Sequence, residues 1–219
     1  MLERPALARA AGFDGVEMTM PYDHAPEDWV RALDGFPVAL VNTPAGDWAA
    51  GERGFAAVPG AEARFREGFA RALEMAQAIG AARIHVMAGN GGDEATFLAN
   101  LRWAAAHGHP LTIEPLNPGD MPGYALSDFA QAARIAAAVP GVGVQFDTWH
   151  AARLGGIEAC WRVAGPWVTH IQIAGEPDRG EPDAGALAFA AKAGVKWVGA
   201  EYRPRGGTGA GLGWMALRG

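Results

Sequence analysis

The sequence predicts a single α/β domain over residues 1–219, a (β/α) barrel of the TIM type. Three observations carry this prediction. Strand-like and helix-like segments alternate along the whole chain. Several strand segments, PVALVN among them, are continuous apolar runs, as a parallel sheet covered by helices requires. Four successive strands each bring an oxygen-bearing side chain to their C-terminal end, where a barrel of this kind carries its chemistry.

The elements follow in order. Leu2–Ala11 reads as a helix stopped by Gly12, and Asp14–Met18 as the first strand. Glu27–Leu33 is a short helix before the buried strand Pro37–Asn42. Glu62–Ile79 is a long amphipathic helix with Phe65, Phe69, Leu73 and Ala76 on one stripe, ended by Gly80. The strands Arg83–Met87, Leu111–Glu114, Val142–Asp147, Val168–Ile173 and Trp197–Glu201 follow. They are separated by helices over Ala95–Ala106, Leu126–Val139, Ile157–Ala164 and Ala184–Ala193. The tail is glycine-rich; its GGTGAGLG run neither follows a strand directly nor opens a clear helix, so it reads as a closing loop and not a phosphate cradle.

The count is seven strands, where a closed barrel takes eight. Either the barrel lacks its first β-strand or it stands open at that seam, and an open seam would expose sheet edges beside Val16 and Glu201. Open edges invite pairing with another chain, so a homo-oligomer is expected. A doubly wound sheet is the rival architecture, but no Gly-rich turn follows Asp14–Met18.

Bulk properties narrow the function. A net charge of −6 with no Lys/Arg run argues against a nucleic-acid partner. The one cysteine, Cys160, lies in a helical run and reads as a packing residue in a reducing compartment. No apolar stretch reaches membrane-spanning length and the N-terminus lacks a secretory pattern, so the expected location is cytoplasmic, with no membrane partner.

The strand ends carry the chemistry: Glu114 in TIEPLN, Asp147 in QFDTWH, Gln172 in THIQIAG and Glu201 in GAEYRPRG. Any one of them alone is merely a polar residue at a wet rim. Four on consecutive strands are a set of hard oxygen donors that suits Mg²⁺ or Mn²⁺, and without a cation they repel one another. His85, from a strand interior, either reaches this pocket to meet substrate or is a satisfied core histidine. Asn42 and Trp48 are placed to cover a substrate from the loop NTPAGDW, packing being the alternative for Trp48, and Glu17 lies where it can line the rim.

The segments FDGVEMTMPYD, NTPAGDWAAGERG, HVMAG, IEPLNPGDMPGY, QFDTWH, HIQIAGEPDRGEPD and EYRPRG together resemble the hydroxypyruvate isomerase family, within the xylose isomerase-like sugar isomerases and epimerases. The resemblance spans nearly the whole chain. It implies Glu114, Asp147, Gln172 and Glu201 as metal ligands, with the two glutamates as the acid/base pair. It further implies substrate-binding roles for His150, Arg179, Asp120 and Glu181.

The expected reaction is isomerisation of a small-molecule 2-oxo acid, hydroxypyruvate, to tartronate semialdehyde through an enediolate. The order in which the two glutamates act is left open. Alternatives are a 2-oxo-tetronate isomerase, a related sugar-acid epimerase, or a catalytically inactive barrel remnant. A barrel endonuclease of the apurinic type shares the fold but would need more histidine ligands and a basic groove.

Overall fold

Seven parallel strands lie side by side in the order in which the chain makes them. The computed structural model describes residues 1–217. The strands are β1 (Val16–Met18), β2 (Val38–Asn42), β3 (Ile84–His85), β4 (Leu111–Ile113), β5 (Val142–Asp147), β6 (Val168–Ile173) and β7 (Val198–Ala200). The helices are α1 (Arg4–Ala10), α2 (Pro26–Leu33), α3 (Glu62–Ile79), α4 (Glu94–Ala105), α5 (Phe129–Ala138), α6 (Thr148–Arg153), α7 (Ile157–Ala164) and α8 (Ala184–Ala193). None of the described helices is long and apolar enough to cross a membrane.

Local chemistry sets the boundaries. Aspartates cap α4, α5 and α8: Asp93 accepts from the Thr96 amide, Asp128 from Ala130 and Gln131, and Asp183 from Ala186. Asp128 therefore starts α5 later than the apolar pattern implies, and Leu126 is core outside the helix. Gly80 ends α3 at φ 65°, and its N–H bonds to the Ala76 carbonyl. The stripe on α3 buries Phe65, Phe69, Ala72, Met75 and Ala76, while Leu73 sits at its margin.

The core fills the space between sheet and helices. Phe146 of β5 is fully buried and its ring centroid lies 4.8 Å from Phe129, 5.3 Å from Trp161 and 5.4 Å from Phe189, so one side chain ties β5 to α5, α7 and α8. Cys160 is buried in α7 with its Sγ 3.4 Å from the Leu154 carbonyl, a packing position.

Among the described residues β1 and β7 do not pair, so the barrel is nearly closed with a seam between them. A cavity of about 530 Å³ occupies the seam, lined by Val16, Glu17, His170, Trp197, Gly199 and Glu201. The glycine-rich tail is not a simple loop: Ala210–Leu217 winds as 3-10 helix. Trp214 packs against both Phe13 and Tyr202, each at 6.2 Å between ring centroids, so the tail touches both sides of the seam.

Candidate active site

Period-two alternation sorts each strand's side chains between the helix layer and the barrel interior. On β5, Phe146 faces the helices while Gln145 and Asp147 face inward. The register sets Asp147 beside Gln172 and Gln145 beside His170, so β5 and β6 contribute two stacked polar layers. Glu114 follows β4 directly and Glu201 follows β7, both on the same rim.

Two side chains gather the four oxygen donors in pairs, Gln145 holding Glu114 and Gln172, and Arg179 holding Asp147 and Glu201. The Gln145 Nε2 group donates to Glu114 Oε2 at 3.0 Å and to Gln172 Oε1 at 2.7 Å. Arg179 Nη2 donates to Asp147 Oδ2 at 2.7 Å and lies 3.1 Å from Glu201 Oε1. Ligand-capable atoms of Glu114, Asp147 and His150 lie within 4.8 Å of one another.

The electrostatics are those of crowded, buried carboxyls. Burial, then the charges of Glu201 and Asp147, push Glu114 well above the usual carboxylate range. Burial and the Glu201 charge push Asp147 up to about 8, with the Arg179 guanidinium acting the other way. Glu201 moves in the same direction, burial again first, but its side chain is 45% exposed beside the seam cavity. Water therefore screens it more than it screens Glu114, whose side chain is 7% exposed.

These residues fit a hard divalent cation. Glu114 Oε1 is buried and has no hydrogen-bond partner among the described residues. An acceptor left so exposed to its like-charged neighbours is the place where a cation relieves both costs. Carboxylate and amide oxygens are the donors Mg²⁺ and Mn²⁺ take.

Around this group the histidines have fixed faces. The Asn117 backbone N–H donates to His150 Nδ1 at 3.0 Å, which leaves the neutral ring's proton on Nε2, 3.7 Å from Asp147 Oδ2. His150 is thereby a hydrogen-bond donor toward the site rather than a ligand. Asn42 Oδ1 lies 3.1 Å from His85 Nδ1, so with that amide oxygen accepting, His85 Nε2 is an acceptor with no hydrogen-bond partner among the described residues, 3.8 Å from Glu114 Oε2. Burial pushes both rings down to about 3, so both are neutral at ordinary pH.

Not every residue expected in the pocket joins the carboxyl cluster. Asp120 Oδ2 accepts from Trp149 Nε1 at 2.6 Å and from Asn117 Nδ2 at 3.0 Å, bracing the His150 side of the site. Burial works against its charge, but these donors hold it below its ordinary value. Glu181 bonds to Arg205, from the backbone amide at 2.9 Å and Nη1 at 3.1 Å, so it pins the segment after β7. Trp48 is 47% exposed and stacks on Arg53 at 3.5 Å; it is not packed in the core.

Reading strand ends alone missed Gln145 and Asn117. A signal for Gln145 was present: a polar residue two positions before Asp147 in a buried strand must share its face. Asn117 lies in a loop, and only the fold brings its amide to His150.

Residues 5–217 match the family described as xylose isomerase-like TIM barrel. The chain belongs to that family. A 2-oxo-tetronate isomerase of Cupriavidus necator is 46% identical over 98% of this chain and 91% of its own length. The hydroxypyruvate isomerase of Escherichia coli is 38% identical over 98% of this chain and 92% of its own. A crystal structure from Brucella melitensis, titled AP endonuclease, family 2, superposes with a TM-score of 0.90 at 38% identity, covering 99% of this chain and 92% of that one. The family's barrel is the scaffold here, in this chain seven parallel strands, and the polar rim described above lies at its C-terminal face.

Proposed function

We propose that this chain is an isomerase interconverting hydroxypyruvate and tartronate semialdehyde. The observation that carries the reading is the meeting of two pairs at one rim, Glu114 with Gln172 through Gln145 and Asp147 with Glu201 through Arg179, with ligand-capable atoms of Glu114 and Asp147 within 4.8 Å of each other, in a chain similar to isomerases of short 2-oxo acids. Glu114, Asp147, Gln172 and Glu201 would hold Mg²⁺ or Mn²⁺. Such an ion, when bound, polarises the carbonyl and stabilises negative charge developing on the substrate oxygens.

The chain's own groups move the protons. Glu201, the more hydrated carboxylate, takes a proton from C3 of hydroxypyruvate, and the electron pair forms the C2–C3 double bond of an enediolate. Glu114, the buried carboxyl of the pair, returns one to C2. The C3–oxygen bond becomes the aldehyde carbonyl as the hydroxyl proton passes from O3 to O2. His150 Nε2–H donates to a substrate oxygen and His85 Nε2 accepts from the substrate hydroxyl. Arg179 spends Nη2 on Asp147 and Glu201, which leaves Nε and Nη1 to pair with the substrate carboxylate.

The test is a coupled assay with hydroxypyruvate and Mn²⁺. Glu114→Gln and Glu201→Gln are each expected to lower kcat by about 10²-fold or more, with the fold retained. Undiminished turnover in either variant removes that residue from the mechanism. The higher identity to the Cupriavidus relative favours a second reading, a four-carbon 2-oxo acid substrate. The ratio of kcat/KM for 2-oxo-tetronate and hydroxypyruvate separates the two.

A further inference from the structure

Glu17 stands on β1, yet its carboxylate bonds across the seam to β6. Its Oε1 lies 2.6 Å from His170 Nε2, and its Oε2 accepts from Gln172 Nε2 at 2.7 Å. Gly199 of β7, the register partner of Gln172, lies under the crossing. A Cβ on Gly199 would fall 1.7 Å from Glu17 Oε1, so the carboxylate passes only because that position has no side chain.

The consequence concerns which end of an amide faces the site. The oxygen and nitrogen of a glutamine are nearly equal in shape, so a neighbour must decide between them. An ionised carboxylate only accepts, so Glu17 draws the NH₂ of Gln172 and turns Oε1 away. That Oε1 in turn draws the NH₂ of Gln145, which also reaches Glu114 Oε2. We infer that Glu17 is a positioning residue: it sets the polarity of a relay, Glu17 to Gln172 to Gln145 to Glu114, that presents oxygen and not N–H to the cation. This rests on the metal-site reading above.

The experiment measures Mn²⁺ affinity of the full chain by titration calorimetry, at a temperature where circular dichroism shows each variant folded. Glu17→Met is expected to weaken Mn²⁺ binding by about 10- to 100-fold, the usual size for an outer partner of a ligand. Glu17→Gln keeps the shape and one accepting oxygen and is expected to fall between wild type and Glu17→Met. Gly199→Ala displaces the carboxylate from the other side and should weaken Mn²⁺ in the same way. The double variant Glu17→Met/Gly199→Ala should be no worse than Glu17→Met alone, because both remove one interaction.

Two failures are distinguishable. Absence of Mn²⁺ binding by wild type overturns the metal-site reading and this inference with it. Wild-type affinity in folded Glu17→Met, with only a lower melting temperature in chelator, overturns this inference alone and leaves Glu17 as a fastener of the seam. Additive losses in the double variant also count against it.

Discussion

At the scale of single residues, the site stores opposed titrations. A carboxyl whose pKa is higher folded than unfolded binds its proton more firmly in the native state. Its presence therefore erodes stability as pH rises from the unfolded value near 4 toward the folded one. Asp147, pushed up to about 8, and Glu114, raised by burial, both act this way. The buried rings of His85 and His150, lowered to about 3, work in the other window. They refuse a proton that the unfolded chain accepts, so stability drops as pH falls below about 6.5. Over about pH 7 to 8, past most of the histidine window, the raised carboxyls set the slope. The melting temperature in chelator is expected to fall over that interval, and Asp147→Asn to flatten the slope, as differential scanning calorimetry would record. A flat wild-type profile would mean that Asp147 is ionised throughout. Glu114, Asp147, Gln172 and Glu201 are legible in the sequence because each lies at or beside the C-terminal end of a strand. Gln145 is legible only through its shared face with Asp147, and the crossing of Glu17 is not, since barrel interiors are ordinarily filled by apolar side chains.

At the scale of elements, apolar runs and turn residues place the strands and helices to within a few residues. The short helix α6 is the exception. It follows β5 with no loop, because Asp147 is both the end of the strand and the cap of the helix, its Oδ1 accepting from the Trp149 amide at 2.7 Å. The same geometry puts His150 on the first turn, facing the rim. Strand β3 is shorter than the apolar run that contains it: the next residues turn away, and Gly54 forms a bridge with Ala88. Phe146 tests how much of the fold hangs on one inter-element cluster. Phe146→Ala is expected to cost about 3–5 kcal/mol in urea unfolding, as for other buried aromatics cut to alanine. A loss below about 1 kcal/mol would show that α5, α7 and α8 close over the gap.

At the scale of the whole molecule, the seam is the unusual feature. The edges of β1 and β7 are not paired with each other; Glu17 and the tail around Trp214 bridge the gap with side chains. Val198 on the β7 edge is 42% exposed. An apolar residue on an unpaired edge invites a second copy, and a lysine there discourages it. Sedimentation velocity is expected to show self-association that Val198→Lys reduces. A wild-type monomer at high concentration would refute it.

Period, apolar runs and strand termini are local properties of the chain, and from them follow the parallel barrel, its seven strands and the placing of four oxygen donors at one rim. Which of the remaining polar residues meet follows only from the folded arrangement. Glu17 lies 155 residues from Gln172, and Asn117 lies 33 from His150. Such pairings depend on sheet register and barrel curvature, which no short window of sequence contains.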